Sequence, residues 1–424
     1  MRISIFGYGV TTTPLVAFLN KQGHTLHIYD DKFDAIKTDE FGNTLLPPSH
    51  FDVAQSDMEI LSPGIPPSHP LVLNAHHLMS EYDYFENLLR QDSQNNASNE
   101  GAQMPFMIWI SGTNGKTTTT EMTTLLLASF GAQSGGNIGT PLVQLYAQKP
   151  KVWVLETSSF MLHYTHNATP RFYALLPVKE DHISWHGSFE AYIEDKLSPL
   201  SRMDSASVAF IPAHLRNHRL TKGFRGKLIC YEGSADLSQQ CSIDMDKIVF
   251  KEPFLLDALL ALGIAKYAFN ADNIDVLNHF VIGKHRIEEF YDKHHRLWVD
   301  DSKGTNVDAS IQAIRRYEKK HIMLILGGDD KGANLTPLFE CMQGKDIEIF
   351  SIGANESRLI ELAKNYQIPL FPCQDIYRAM EYIHKRRDKE AKDVVLLSPA
   401  AASLDQFSSY KERGEIFTRL ALAE

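Results

Sequence analysis

The chain has 424 residues, 43% hydrophobic and 22% charged, with a formal net charge of −10. That length is too great for one hydrophobic core and predicts roughly three domains at about 150 residues each, and the balanced composition excludes a disordered or fibrous chain. The basic residues are scattered apart from Lys385-Arg386-Arg387, which reads as a solvated helix face, so no nucleic-acid footprint is expected.

In chain order, residues 2–6 (Arg-Ile-Ser-Ile-Phe) read as a buried strand, 13–21 as a helix and 24–29 as a second strand ending in Asp30 and Asp31, a βαβ opening. The turn Gly7-Tyr-Gly-Val-Thr-Thr12 resembles a dinucleotide fingerprint, but Thr12 stands where the third glycine belongs, and G-x-G alone is weak. A nucleotide-binding edge and a purely structural turn are both open readings. Asp30 or Asp31 lies where an acid can accept from ribose hydroxyls, and Leu61-Ser-Pro-Gly-Ile65 adds a second turn on the same edge. Residues 91–105 are polar and amide-rich, without apolar periodicity, and read as an interdomain loop.

Residues 107–120 (Met-Ile-Trp-Ile-Ser-Gly-Thr-Asn-Gly-Lys-Thr-Thr-Thr-Thr) read as strand, phosphate loop and helix. Backbone N–H groups of Gly112, Thr113, Asn114 and Gly115 can curl round anionic oxygens. The helix N-terminus adds partial positive charge, Lys116 a mobile cation, and Thr117 or Thr118 a hydroxyl for Mg²⁺. A nucleoside triphosphate is implied. The usual pattern has a further glycine where this chain has Ile110, so an ordinary strand-to-helix turn with a solvent-facing lysine competes. Two strands follow, 152–155 running into Glu156-Thr-Ser-Ser159 and 172–176 running towards Lys179-Glu-Asp-His182. Both place carboxylate or imidazole groups at strand C-terminal ends, where open α/β sheets gather their chemistry.

From about Lys284 a third α/β unit is predicted, with strands 297–299, 321–326, 347–352 and 394–397 and helices 357–365 and 376–386. Three of its strands run into Asp301-Ser-Lys303, Gly327-Gly-Asp-Asp-Lys331 and Ser398-Pro-Ala-Ala-Ala-Ser403. No repeat of 20 to 50 residues recurs, which excludes a solenoid. The expected fold class is α/β with three domains: a Rossmann-like N-terminal domain (1–92), a central P-loop ATPase-type domain (93–283) and a C-terminal Rossmann-like domain (284–424). Cys230, Cys241, Cys341 and Cys373 lack C-x-x-C spacing, which argues against zinc and disulfides and suits a reducing cytosol. No apolar run approaches the ~18 residues of a membrane helix, and the chain enters a strand at once, so a cytoplasmic location is expected. His76-His77 and His294-His295 are adjacent pairs whose side chains diverge, and they read as solvated surface.

The ordered set Gly112-Thr-Asn-Gly-Lys-Thr117, Asn137-Ile-Gly139, Glu156-Thr-Ser-Ser159, Glu180-Asp-His182, Lys196, His285-Arg286, Asp301-Ser-Lys-Gly-Thr-Asn306, Gly327-Gly-Asp-Asp-Lys331 and Ser403-Leu-Asp-Gln-Phe407 resembles the Mur ligases. The resemblance runs from the first strand to the last helix. The Asp301 to Asn306 and Ser403 to Phe407 segments are most similar to the family member that adds D-glutamate.

The resemblance implies an ATP-driven amide synthesis in peptidoglycan precursor formation. The alanyl carboxylate of UDP-N-acetylmuramoyl-L-alanine attacks the γ-phosphate to form an acyl phosphate, and the D-glutamate amine then displaces phosphate. Lys116, His182, Lys196 and Arg286 are the implied catalytic residues. ATP would be held by Gly112, Thr113, Asn114, Gly115, Lys116, Thr117, Thr118, Asp257, Arg286 and Asp301, the last accepting from its ribose. Thr11, Asp30, Asp31 and Gly64 would lie along the uridine end of the precursor, with Asn137 and Ser158 or Ser159 also contacting it. Lys303, Thr305, Lys331, Ser403 and Phe407 would form the D-glutamate pocket, where two ammonium groups meet two carboxylates. Two Mg²⁺ ions are implied, with Thr117, Glu156, His182 and Lys196 as the metal-binding set. Lys196 is similar to the lysine carbamylated in the family, although by composition alone it is an exposed helix lysine near acids. The resemblance further implies a monomer with no membrane or nucleic-acid partner.

Two departures stand out. The family's usual His-Asn appears as Glu252-Pro-Phe-Leu-Leu-Asp257, so an adenine contact passes to Asp257 or is lost. Ser184 replaces a common Asp two residues after His182. Three rival readings remain: another ATP-dependent amide ligase of the Mur or folylpolyglutamate synthetase kind, a nicotinamide oxidoreductase built on the Gly7 turn, and a non-catalytic nucleotide-sugar sensor.

Overall fold

The computed structural model describes residues 1–95, 104–385 and 393–423, so Arg386 and Arg387 of the basic run lie outside the described residues. The chain forms two compact units, Met1–Phe280 and Val281–Glu424. The first contains two six-stranded sheets and the second contains one.

In the N-terminal sheet the strand order is Lys37–Thr38, Thr44–Leu46, Leu26–Tyr29, Ile3–Phe6, Met58–Leu61 and Leu78–Met79. Only the first pair is antiparallel. Ile3 to Phe6 pairs in register with Leu26 to Tyr29 on one side and Met58 to Leu61 on the other. The central strand is fully buried, as a parallel strand covered on both faces must be.

The central sheet is all parallel, in the order Lys227–Tyr231, Val208–Pro212, Phe172–Leu175, Phe106–Ser111, Val152–Glu156 and Ala132–Gly136. Ile110 is the penultimate residue of the strand Phe106–Ser111 and is wholly buried, so the phosphate loop begins only after Ser111. The helix Phe254–Phe269 is apolar round most of its surface and packs against the helix Lys116–Leu126 that leaves this loop.

One expected loop is corrected. Gln91 to Asn95 are the last turn of a helix, Glu81–Asn95, and residues 96–103 lie outside the described residues. The polar turn stays helical because the Tyr146 hydroxyl donates to Asp92 at 2.7 Å. At its other end the helix is stapled to the loop that leads into the strand Phe172–Leu175. Asp83 accepts the backbone N–H groups of His166, Asn167 and Ala168 at 2.9, 2.8 and 2.7 Å, and Glu86 accepts that of Thr169 at 2.8 Å.

The second unit has the order Glu288–Tyr291, Leu297–Asp300, Asp393–Leu397, His321–Leu326, Ile347–Ile352 and Leu370–Gln374, parallel except for the first pair. Three neighbouring strands, ending at Asp300, Leu397 and Leu326, therefore deliver their following segments to one edge of the sheet. No described helix is long and apolar enough to cross a membrane.

Candidate active site

The phosphate loop spans residues 112–115, between the strand Phe106–Ser111 and the helix Lys116–Leu126. Gly115 caps that helix in the left-handed region, φ +81°, and a Cβ there would lie 2.3 Å from Asp257 Oδ1. Only glycine fits the position. Thr113 anchors the loop: its hydroxyl accepts the Lys179 N–H at 3.0 Å and lies 3.0 Å from the Tyr192 hydroxyl. Thr117 and Thr118 open the helix, and Asn114 lies within the loop itself. Asp257, 4% exposed, accepts from Thr119 Oγ1 at 3.1 Å. The structure therefore brings it to the loop from 138 residues away in sequence.

Lys116 is not solvent-facing. Its Nζ folds back to donate to the carbonyls of Gly112 and Thr113 at 3.1 and 2.9 Å. Burial lowers its pKa, partly offset by the charges of Glu156 and Asp181. Lys196 is corrected from an exposed helix lysine to a buried one, at 1% exposure. Its Nζ donates to the same Gly112 carbonyl at 2.9 Å and lies 4.6 Å from the centre of the Tyr192 ring. Burial first, and the Lys116 charge second, push its pKa well below the ordinary lysine value.

Glu156 ends the strand Val152–Glu156 and is 2% exposed. Asn137 Nδ2 donates to its Oε1 at 2.7 Å, while Oε2 is buried with no hydrogen-bond partner. An unmatched buried carboxylate oxygen at a strand end suits a hard divalent cation. His182 has a left-handed backbone, φ +54°, and its ring packs against Phe160 with centroids 4.7 Å apart.

Thr11, Asn137 and Ser158 line one cavity of about 150 Å³, together with Glu81, Tyr82 and Glu156. Ser159 is turned away, its Oγ 3.0 Å from His186 Nε2, whose Nδ1 is 2.7 Å from Asp195 Oδ2. Asp30, Asp31 and Gly64 are not walls of this cavity. Asp30 accepts the Tyr8 N–H at 2.6 Å, Asp31 lies 3.4 Å from His69 Nε2, and the Gly64 carbonyl accepts from Trp185 Nε1 at 3.2 Å. Thr12 closes the Gly7 turn on itself. Its hydroxyl donates to the Gly7 carbonyl at 2.6 Å and accepts the Gly9 N–H at 3.1 Å. Of the turn's donors, the Gly9 N–H is thus held by Thr12, while the Gly7 and Tyr8 N–H groups donate to the Tyr29 carbonyl and to Asp30.

In the second unit, Arg286 follows His285, whose Nδ1 lies 2.7 Å from buried Asp300. Asp301 is also buried, accepts the Ser398 hydroxyl at 2.7 Å, and has its pKa raised by desolvation to about 7. The segments carrying Lys303, Thr305, Lys331, Ser403 and Phe407 interlock through their backbones. Ala400 N–H donates to the Gly304 carbonyl at 3.0 Å, Gly327 N–H to Pro399 at 3.0 Å, and Asp329 and Ala402 exchange two bonds at 3.0 and 2.9 Å. Ser403 is buried, its carbonyl accepting the Phe407 N–H at 2.8 Å, whereas Lys331 is exposed.

Residues absent from the expected set also shape the site. Arg413, 1% exposed, donates to Ser302 Oγ, the Ser302 carbonyl and the Ala401 carbonyl at 3.0, 2.8 and 3.2 Å. It ties the Lys303 turn to the Ser403 segment, and no sequence signal separates it from an ordinary helix arginine. Glu81 and Tyr82 read as a plain acidic helix start. The histidine pairs His76-His77 and His294-His295 are all exposed, and the described metal-compatible clusters involve other residues.

Residues 110–230 match the family model described as the Mur ligase middle domain. The chain is 46% identical to a UDP-N-acetylmuramoylalanine–D-glutamate ligase of Campylobacter jejuni (strain RM1221), with 98% of each chain covered. It is 44% identical to the enzyme of that name from Helicobacter pylori (strain J99 / ATCC 700824) over 100% of both chains. The crystal structure of MurF ligase from Thermotoga maritima in complex with ADP superimposes with a TM-score of 0.56 at 18% identity, covering 86% of this chain and 88% of that one, a likeness of fold. With relatives this similar along its whole length, the chain belongs to the Mur ligase family, alongside the UDP-N-acetylmuramoylalanine–D-glutamate ligases.

Proposed function

We propose that this chain is the ATP-dependent ligase that joins D-glutamate to UDP-N-acetylmuramoyl-L-alanine in peptidoglycan precursor synthesis. The observation that carries the reading is end-to-end similarity to ligases of that name, 46% identity over 98% of the chain. The co-crystallised ADP of the Thermotoga maritima relative supports ATP as the energy source. Three functional segments, 1–92, 93–283 and 284–424, divide the work among precursor, ATP and amino acid.

The alanyl carboxylate oxygen attacks the γ-phosphorus, and the β–γ bridging oxygen leaves with ADP. The D-glutamate nitrogen then attacks the acyl carbon, losing a proton as phosphate departs. Phosphoryl transfer needs charge neutralisation and alignment more than covalent help. Lys116 and the 112–115 backbone grip the phosphates, with Arg286 as a further cation. Asp257 stands against Gly115 and Thr119, where it faces the adenosine end, and Asp301 serves the ribose. Thr117, Glu156, His182 and Lys196 as its carbamate would hold two Mg²⁺ ions, which neutralise phosphate oxygens when bound. Lys196 suits carbamylation because burial and Lys116 favour the neutral amine that attacks CO₂. Thr11, Asp30, Asp31, Gly64, Asn137 and, of Ser158 and Ser159, the cavity-lining Ser158 serve the precursor. Lys303, Thr305, Lys331, Ser403 and Phe407 serve D-glutamate.

All four cysteines are free thiols, which supports a reducing compartment such as the cytoplasm, and a monomer is the expected working state. The test is ADP release on adding precursor, D-glutamate and Mg²⁺, omitting each in turn. Release should require all three, and ADP formation that ignores D-glutamate or prefers L-glutamate would overturn the reading.

A further inference from the structure

Three carboxyl groups stand on the first two turns of the helix Glu81–Asn95, and they meet different fates. Asp83 is matched by the 166–168 backbone, and Glu86 by the Thr169 N–H and the Arg90 guanidinium. Glu81 is only 6% exposed, yet its Oε1 is buried without a hydrogen-bond partner, and the residue lines the cavity of about 150 Å³. The other walls give that cavity its meaning. Thr11, Asn137, Ser158 and Glu156 line it too, and on the ligase reading proposed above Thr11 serves the uridine side, Asn137 and Ser158 the precursor and Glu156 the reacting end. Glu81 therefore faces the stretch that joins the nucleotide to the alanyl group.

The opposite wall is built to be close. Gly136 has φ +86°, and a Cβ there would lie 2.5 Å from the Glu156 carbonyl oxygen and 2.6 Å from the Tyr82 hydroxyl. Tyr82 in turn donates to that carbonyl at 3.1 Å. The helix start is thus fixed against the strand that carries Glu156, and the Glu81 carboxyl cannot drift out to solvent without undoing this contact. A buried polar atom with no protein partner is costly, and such an atom in a ligand cavity is matched by the ligand.

Resting on the ligase reading above, we propose that Glu81 contacts the precursor, hydrogen-bonding a hydroxyl or amide group of its N-acetylmuramoyl portion. Desolvation raises the Glu81 pKa to about 8, so at neutral pH the carboxyl is largely protonated and can both donate and accept. A neutral acid also avoids repelling the adjoining diphosphate. The contact adds register between the nucleotide end and the reacting carboxylate.

The test compares wild type, Glu81→Ala and Glu81→Gln by calorimetric titration with UDP-N-acetylmuramoyl-L-alanine and with UDP, alongside Tm and the KM for each substrate. Glu81→Ala should weaken precursor binding at least tenfold, leave UDP affinity and the ATP and D-glutamate KM values within twofold, and melt no lower than wild type. Glu81→Gln keeps a donor and an acceptor and should stay within threefold for the precursor. Precursor affinity of Glu81→Ala within twofold of wild type would overturn the proposal, as would an equal loss for UDP. Should the alanine variant fail to fold, Glu81→Leu supplies the apolar comparison on the same criteria. Wild type that does not bind the precursor overturns the ligase reading itself, an outcome distinct from either.

Discussion

Lys116 and Lys196 donate to one and the same acceptor, the Gly112 carbonyl, at 3.1 and 2.9 Å. Two ammonium groups on one oxygen repel each other in a buried setting, and burial together with the Lys116 charge lowers the Lys196 pKa further than that of Lys116. Converting that amine to a carbamate replaces like charges with an opposite pair. Depleting CO₂ should therefore lower activity, and Lys196→Ala should lose most turnover and recover part of it with a small added carboxylate. Unmodified activity in Lys196→Ala without additive would make the residue a structural one.

The same pair sets a pH trend. A lysine whose folded pKa lies below its unfolded value leaves the unfolded chain binding the extra proton, so stability falls as pH drops from the ordinary lysine value towards the lowered one. Lys196→Met should flatten that alkaline limb, read from urea midpoints across the range. An unchanged limb would show that the ammonium stays protonated.

Glu156→Gln should remove the oxygen proposed to bind metal while keeping the Asn137 contact, and Lys116→Ala should remove the cation proposed to grip phosphate. Each should cost on the order of 10²-fold or more in kcat with the Tm little changed. ADP release under saturating substrates measures it, and near-normal turnover in either variant would remove that residue from the site.

Arg413→Met should separate the Lys303 turn from the Ser403 segment. Losing a buried, fully bonded guanidinium should cost on the order of 3 kcal/mol in stability. Among molecules that stay folded, the D-glutamate KM should rise while the precursor KM does not. Lys331→Met, on the exposed turn nearby, should raise the D-glutamate KM without the stability loss.

For Glu81, the folded pKa of about 8 exceeds the ordinary 4.5, so the folded state holds a proton that the unfolded chain has lost. Stability should fall as pH rises between those values, by no more than about 1.4 kcal/mol per pH unit from this group. Glu81→Gln should remove that slope, and thermal melts from pH 5 to 8 check it.

The phosphate loop, the strand that ends at Glu156 and the four central parallel strands of the last sheet were legible because their signals are local, apolar runs closed by glycine-rich or charged turns, whereas the edge strand Leu370–Gln374 was not expected. Ala132–Gly136 was not, since Ala-Gln-Ser-Gly-Gly carries no apolar pattern and becomes a strand only by pairing with Val152–Glu156. Lys196 reads as solvated because its burial comes from Tyr192 and a loop more than 80 positions earlier. Arg413 is hidden for the same reason, its partners lying 12 and 111 positions away. In the Gly7 turn, Thr12 looked like a defect in a motif and is instead the group that closes the loop.

The start of the helix Glu81–Asn95 behaves as a machinist's gauge. Ser80 caps Asp83 N–H, Glu81 faces the cavity, Tyr82 holds the Glu156 carbonyl and Asp83 grips three amides of the loop that leads into the strand Phe172–Leu175, all on consecutive residues. Each added or deleted residue turns a helix by roughly 100° and shifts it by about 1.5 Å. A one-residue insertion or deletion here would misdirect all four groups together. Length variation among sequences that keep this arrangement must therefore fall elsewhere.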